Sequence, residues 1–110
     1  MEKRHSQRIP KNLKVTFPCC NKLYSGTVTD LSESGMLIYS EVNLPIKSTF
    51  EVLISINNEI IKLPAVFVRL EKEGNNYKGM GVKLLNPPKK YVEYVHALNL
   101  DNNTFKFVSD

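Results

Sequence analysis

The sequence predicts a mainly β protein, a six-stranded antiparallel β-barrel followed by a C-terminal α-helix. Three observations carry this. Short runs with apolar residues at alternate positions recur up to Leu85, separated by turn-forming residues. Asn86-Pro87-Pro88 then breaks the pattern. Beyond it, Tyr91, Val92, Val95 and Leu98 follow helical spacing.

Each element has its own warrant. Residues 1–11 are polar and basic, end in Ile9-Pro10-Lys11, and read as a flexible arm. The barrel and its helix then occupy 12–98, and a tail covers 99–110. A first strand at 13–19 alternates Leu13, Val15 and Phe17 with polar residues. Asn21-Lys22 gives a turn, and a second strand covers 22–29. Asp30-Leu31-Ser32-Glu33-Ser34-Gly35 is turn chemistry, in which Gly35 permits a positive φ. A third strand follows at 36–40, and Pro45 sits in a loop. The fourth strand, Thr49–Ile56, places Phe50, Val52, Ile54 and Ile56 on one face. Asn57-Asn58 then suits a tight hairpin. The fifth strand spans 60–71, with an edge position or a bulge expected at Pro64. Gly74-Asn75-Asn76 turns the chain into a sixth strand at 77–85. A helix over 88–98 could cap one end of the barrel, and Phe105, Phe107 and Val108 in the tail suit a further strand or a docked segment.

A chain of 110 residues holds one modest core. It is 42% hydrophobic and 24% charged, which is ordinary globular usage. No apolar run approaches the ~20 residues that span a bilayer, and the N-terminal MEKRHSQRIP lacks the apolar stretch of a signal peptide. The adjacent Cys19 and Cys20 are poorly placed for a mutual disulfide and supply no zinc-ligand spacing. They read as reduced thiols, so the expected compartment is the cytoplasm. No metal and no cofactor is expected.

Nothing in the sequence carries catalysis. His5 and His96 lie in no nucleophile motif, and Gly74, Gly79 and Gly81 match neither the Walker loop nor the dinucleotide fingerprint. An enzyme is not expected. The net charge of +4 suits an anionic partner without demanding one.

Two clusters stand out. Arg4 and Arg8 form an Arg-x-x-x-Arg in the basic arm, and Asp30, Ser32 and Gly35 form an Asp-x-Ser-x-x-Gly between two strands. In this order, followed by Met36-Leu37-Ile38, they resemble the PilZ domain family of bacterial cyclic di-GMP receptors. Ala65-Val66-Phe67-Val68-Arg69 and the run from Tyr77 to Leu84 are similar to the family's late strands, although Leu84 stands where Phe is frequent. The resemblance covers roughly residues 2–98. It implies cyclic di-GMP as ligand, with Arg4, Arg8, Asp30, Ser32 and Gly35 as binding residues and Lys3 as an added charge beside them. It also implies a signalling role, with a downstream protein partner reading the arm as it closes over the ligand.

Residue chemistry fits this ligand. The planar fork of arginine pairs with guanine O6 and N7, stacks on purines and binds phosphate. An ionised Asp30 accepts guanine N–H donors, and the Ser32 hydroxyl can donate to a phosphate or a base edge. Gly35 lets the backbone approach closely.

Two other readings compete. One is a PilZ-like adaptor that works by protein contacts without nucleotide, although such members usually lack the two motifs intact here. The other is a single-strand nucleic-acid binder that uses exposed aromatics. Phe17, Phe50 and Phe67 fall in the apolar phase of their strands and read as core instead, so no DNA or RNA is expected. A monomer or a dimer is compatible with the chain.

Overall fold

The computed structural model describes residues 8–19, 21–40, 44–73 and 77–108. Six strands precede one helix: β1 (Ile9–Cys19), β2 (Lys22–Leu31), β3 (Gly35–Ser40), β4 (Thr49–Ile56), β5 (Glu59–Glu73), β6 (Tyr77–Leu84) and α1 (Lys89–Val108). All pairings are antiparallel, and the strands close in the order β1-β2-β3-β6-β5-β4. The β1–β4 seam that closes the barrel is short, with Val15↔Ile54 and Thr16↔Leu53 in register.

The alternation read from the sequence is the inside–outside alternation of the barrel. Val15, Phe17, Val28, Met36, Ile38, Val52, Ile54, Leu63, Phe67 and Met80 are all fully buried inside it. The rings of Phe17 and Phe50 lie 5.6 Å apart, within the range of favourable aromatic packing. At the β4–β5 hairpin, Asn57 and Asn58 have φ of 54° and 65°. Two left-handed residues in a two-residue loop match the right-handed twist of the strands, and asparagine tolerates the conformation.

Several expectations are corrected. Strand β1 begins at Ile9, so 9–11 belong to the sheet rather than to the arm. Ile9 is buried and pairs with Leu31, which ties this end of the strand down. Pro64 carries no bulge. It lies one residue outside the β5–β6 register, which ends at Ala65↔Leu84, and its carbonyl accepts from Leu85 N at 2.8 Å. The bulge falls between Phe67 and Arg69 instead. The helix runs on to Val108, so the backbone of 99–108 is helical rather than a strand.

Helix α1 starts directly after the two prolines. The Pro88 carbonyl accepts from Tyr91 N at 3.0 Å and Val92 N at 3.2 Å, and no acidic residue occupies the first turn. Tyr91 and Val95, one turn apart, are buried in the same cluster as the barrel interior, with Tyr94 and Leu98 packed against it. The helix therefore closes one mouth of the barrel. No helix among the described residues is long and apolar enough to cross a membrane.

Candidate functional site

Beside the mouth under α1, Arg8 of the first sequence motif meets Asp30 of the second. The Asp30–Gly35 segment links β2 to β3, and Arg8 immediately precedes β1. Because Pro10 pairs with Asp30 across the β1–β2 ladder, the start of β1 brings Arg8 beside the turn. Its guanidinium forms an ion pair with the Asp30 carboxylate. Both side chains are partly open to solvent, at 39% and 27%, so another anion or donor can reach them.

A register shift aims Asp30. Val28 pairs with Ile38 but Asp30 pairs with Leu37, leaving Thr29 as an extra residue on β2. Val28 and Leu31 are both fully buried, with Thr29 and Asp30 between them half-exposed. Without the bulge, strict alternation would turn Asp30 inward. A second shift, between Pro10 and Leu13 on β1, borders the same spot.

Ser32, read from the sequence as a candidate ligand donor, sits within the turn itself. It is only 2% exposed, and its hydroxyl works inside the turn. Ser34 N donates to Ser32 Oγ at 3.3 Å, and Ser32 Oγ has a long 3.4 Å contact to the Gly35 carbonyl. That carbonyl also accepts from Ser32 N at 2.8 Å, which closes the turn. Gly35 is not in the left-handed region expected for it. A Cβ there would stand 2.6 Å from the Val82 carbonyl oxygen, so glycine is required by close packing of β3 on β6.

Two contacts that sequence reasoning missed fasten the turn to α1. Tyr91 Oη donates to the Ser32 carbonyl at 2.7 Å within the buried mouth. Glu33, at a free position of the motif, pairs with His96 one turn beyond Val92. Burial pushes the Tyr91 phenol well above the ordinary tyrosine value. Tyr94 reinforces the shift, and the positive charge of Arg8 opposes it. Burial likewise raises Tyr94. Tyr91 lies in the apolar helical series, which signals core and gives no hint of its hydroxyl's partner.

Arg4 and Lys3 lie outside the described residues, as does Cys20. Among the described residues no cluster of His, Cys, Asp and Glu is suited to hold a metal.

The chain is thus a closed six-stranded antiparallel barrel with one helix packed at its mouth and an Arg8–Asp30 ion pair beside it. The chain belongs to the PilZ domain family, whose sequence profile matches residues 2–99. Solved structures agree on the fold. The PilZ domain with c-di-GMP of YcgR from Escherichia coli superposes with a TM-score of 0.70 at 14% identity, over 99% of each chain. The Bacillus subtilis inhibitor of motility MotI/DgrA gives a TM-score of 0.78 at 12% identity, covering 96% of this chain and 54% of its own. The PilZ domain of CeSA from a cellulose-synthesizing bacterium gives 0.60 at 21% identity, over 86% of this chain and 99% of its own. No curated protein sequence matches the chain significantly.

Proposed function

We propose that this PilZ domain is a cyclic di-GMP receptor that signals by changing its contacts with a protein partner. The observation that carries the reading is the Arg8–Asp30 ion pair, which joins the arm motif to the turn motif on an accessible surface. The ligand's guanines and phosphates can exchange with both partners. Asp30 accepts guanine N–H donors while Arg8 turns to a phosphate or to the O6/N7 edge, so neither charge is left unpaired. Ser32 and Gly35 hold the turn that presents Asp30, and Arg4 and Lys3 add positive charge from the arm. Closure of residues 1–8 over the ligand is the switch, an ordering of a segment by charge-assisted contacts. The c-di-GMP of the YcgR domain supports the nucleotide, and MotI, an inhibitor of motility, supports a signalling output.

The test is calorimetric titration of the purified chain with cyclic di-GMP, alongside the Arg8→Ala variant and with GTP as control. Saturable heat in the wild type, lost in the variant and absent with GTP, is expected. A folded wild type that gives no heat refutes the receptor and leaves an adaptor that binds protein without nucleotide. Limited proteolysis reads the switch: the ligand is expected to protect the bonds of residues 1–8.

A further inference from the structure

The outer face of the barrel carries a second arginine that the motifs do not include. The β2–β3, β3–β6 and β6–β5 registers line up Asp30, Leu37, Gly81 and Arg69 in one row across four strands. Cross-strand partners share a face, so this row lies on the surface that presents Asp30. Three strand spacings separate its ends, about 14 Å.

Both ends of the row are set by bulges. Thr29 is the extra residue that turns Asp30 outward, and Val68 is the extra residue before Arg69. Phe67 is buried, and Val68 and Arg69 are both exposed, where regular alternation would send Arg69 inward. Two independent irregularities thus place one acidic and one basic residue on the same line.

Arg69 is also held in a defined pose. Its Nε and Nη2 donate to Glu71 Oε2 at 2.8 and 2.7 Å. Its side chain lies over Gly81: a Cβ at that glycine would meet Arg69 Cγ at 2.9 Å and both Cζ and Nη1 at 3.1 Å. With Cγ, Cζ and Nη1 all this close to one point, the side chain crosses directly over Gly81. With Arg69 folded over β6, only β3 and its Leu37 stand between the guanidinium and Asp30, and the arginine side chain remains half exposed.

Resting on the cyclic di-GMP reading above, we propose that Arg69 is a further ligand-binding residue of this site. Its flat guanidinium is the platform on which a purine base of the ligand stacks, at the end of the row opposite Asp30. Arginine stacks on planar bases through its own planar, weakly hydrated group, which lysine cannot copy. Glu71 holds the guanidinium by its Nε–Nη2 edge, and the absence of a side chain at Gly81 leaves room for it there.

The experiment is titration of the full chain with cyclic di-GMP, comparing wild type, Arg8→Ala, Arg69→Met and Arg69→Lys. Arg69→Met keeps the aliphatic stem over Gly81, and unchanged melting confirms that each variant is folded. Stacking on one base predicts that Arg69→Met weakens binding about ten- to one-hundredfold. Arg69→Lys is expected to stay at least fivefold weaker than wild type. Arg69→Met binding within twofold of wild type, while Arg8→Ala loses the ligand, overturns the role of Arg69 and leaves the receptor standing. Full recovery by Arg69→Lys overturns the stacking platform, since charge alone would then suffice. A wild type that binds no cyclic di-GMP overturns the receptor reading and this proposal with it.

Discussion

The phenol of Tyr91 donates to the backbone carbonyl of Ser32 at 2.7 Å, which ties the middle of the Asp-x-Ser-x-x-Gly turn to the first turn of α1. Ser32 and Tyr91 are both essentially buried, so water cannot replace this bond. The turn is further fixed by Leu84 N donating to the Ser34 carbonyl at 2.8 Å. Asp30 is therefore presented by a segment anchored on both sides, to β6 and to the helix.

Replacing Tyr91 by Phe keeps the ring in the core and leaves the Ser32 carbonyl without this donor. An orphaned buried acceptor costs about 1–3 kcal/mol. Urea unfolding of Tyr91→Phe is expected to show a lower midpoint with an unchanged slope, since the exposed surface does not change.

The same residue sets an alkaline limit. Burial holds the Tyr91 phenol protonated above its ordinary value of about 10. Below that pH both the folded and unfolded chains keep the proton, and the full stability is present. Above it the unfolded chain releases a proton that the folded chain retains, so stability falls as pH rises. Unfolding midpoints measured from pH 8 to 11 are expected to decline in the upper part of the range. The decline is shallower in Tyr91→Phe, with a residual slope from Tyr94, whose pKa burial also raises.

Gly35→Ala brings a methyl group to within 2.6 Å of the Val82 carbonyl oxygen. That oxygen belongs to the backbone of β6 and cannot rotate away, so the two strands must part. The expected loss is about 1–3 kcal/mol, the usual range for overpacking. A drop of less than a few tenths in a chemical melt would show that the strands separate freely.

Lys47 has φ of 76°, in a loop where its N–H donates to the Phe67 carbonyl at 2.7 Å. A side chain in this region costs roughly 1–2 kcal/mol, against the roughly 0.5–1 kcal/mol of extra chain entropy that glycine loses on folding. Lys47→Gly is therefore expected to raise stability by about 0.5–1 kcal/mol, read as a higher melting temperature.

The strands were legible because a barrel wall has one dry face, and the alternation of Val52, Ile54 and Ile56 records it. The bulges were not. A one-residue shift leaves only a stumble in the pattern, such as Val28 and Leu31 buried three apart. That stumble determines which way Asp30 and Arg69 face. The two motifs were legible from their residues and order, whereas the meeting of Arg8 with Asp30 and the inward turn of Ser32 were not. Its hydroxyl partners are backbone groups of its own turn, and backbone groups carry no residue signature. The length of α1 was underestimated because Asn99 and the polar run after it weaken the helical pattern.

The Arg8–Asp30 pair separates stability from binding. Both groups are partly solvated, and exposed ion pairs contribute about 0–1 kcal/mol. A double-mutant cycle of Arg8→Ala and Asp30→Ala in urea is expected to give a coupling below about 1 kcal/mol. The same variants titrated with cyclic di-GMP should each lose binding by far more than their stability changes, since each removes a charged ligand contact. A coupling of several kcal/mol in the fold, with affinity unaltered in both single variants, would mark the pair as a structural clamp instead of an exchangeable pair waiting for the ligand.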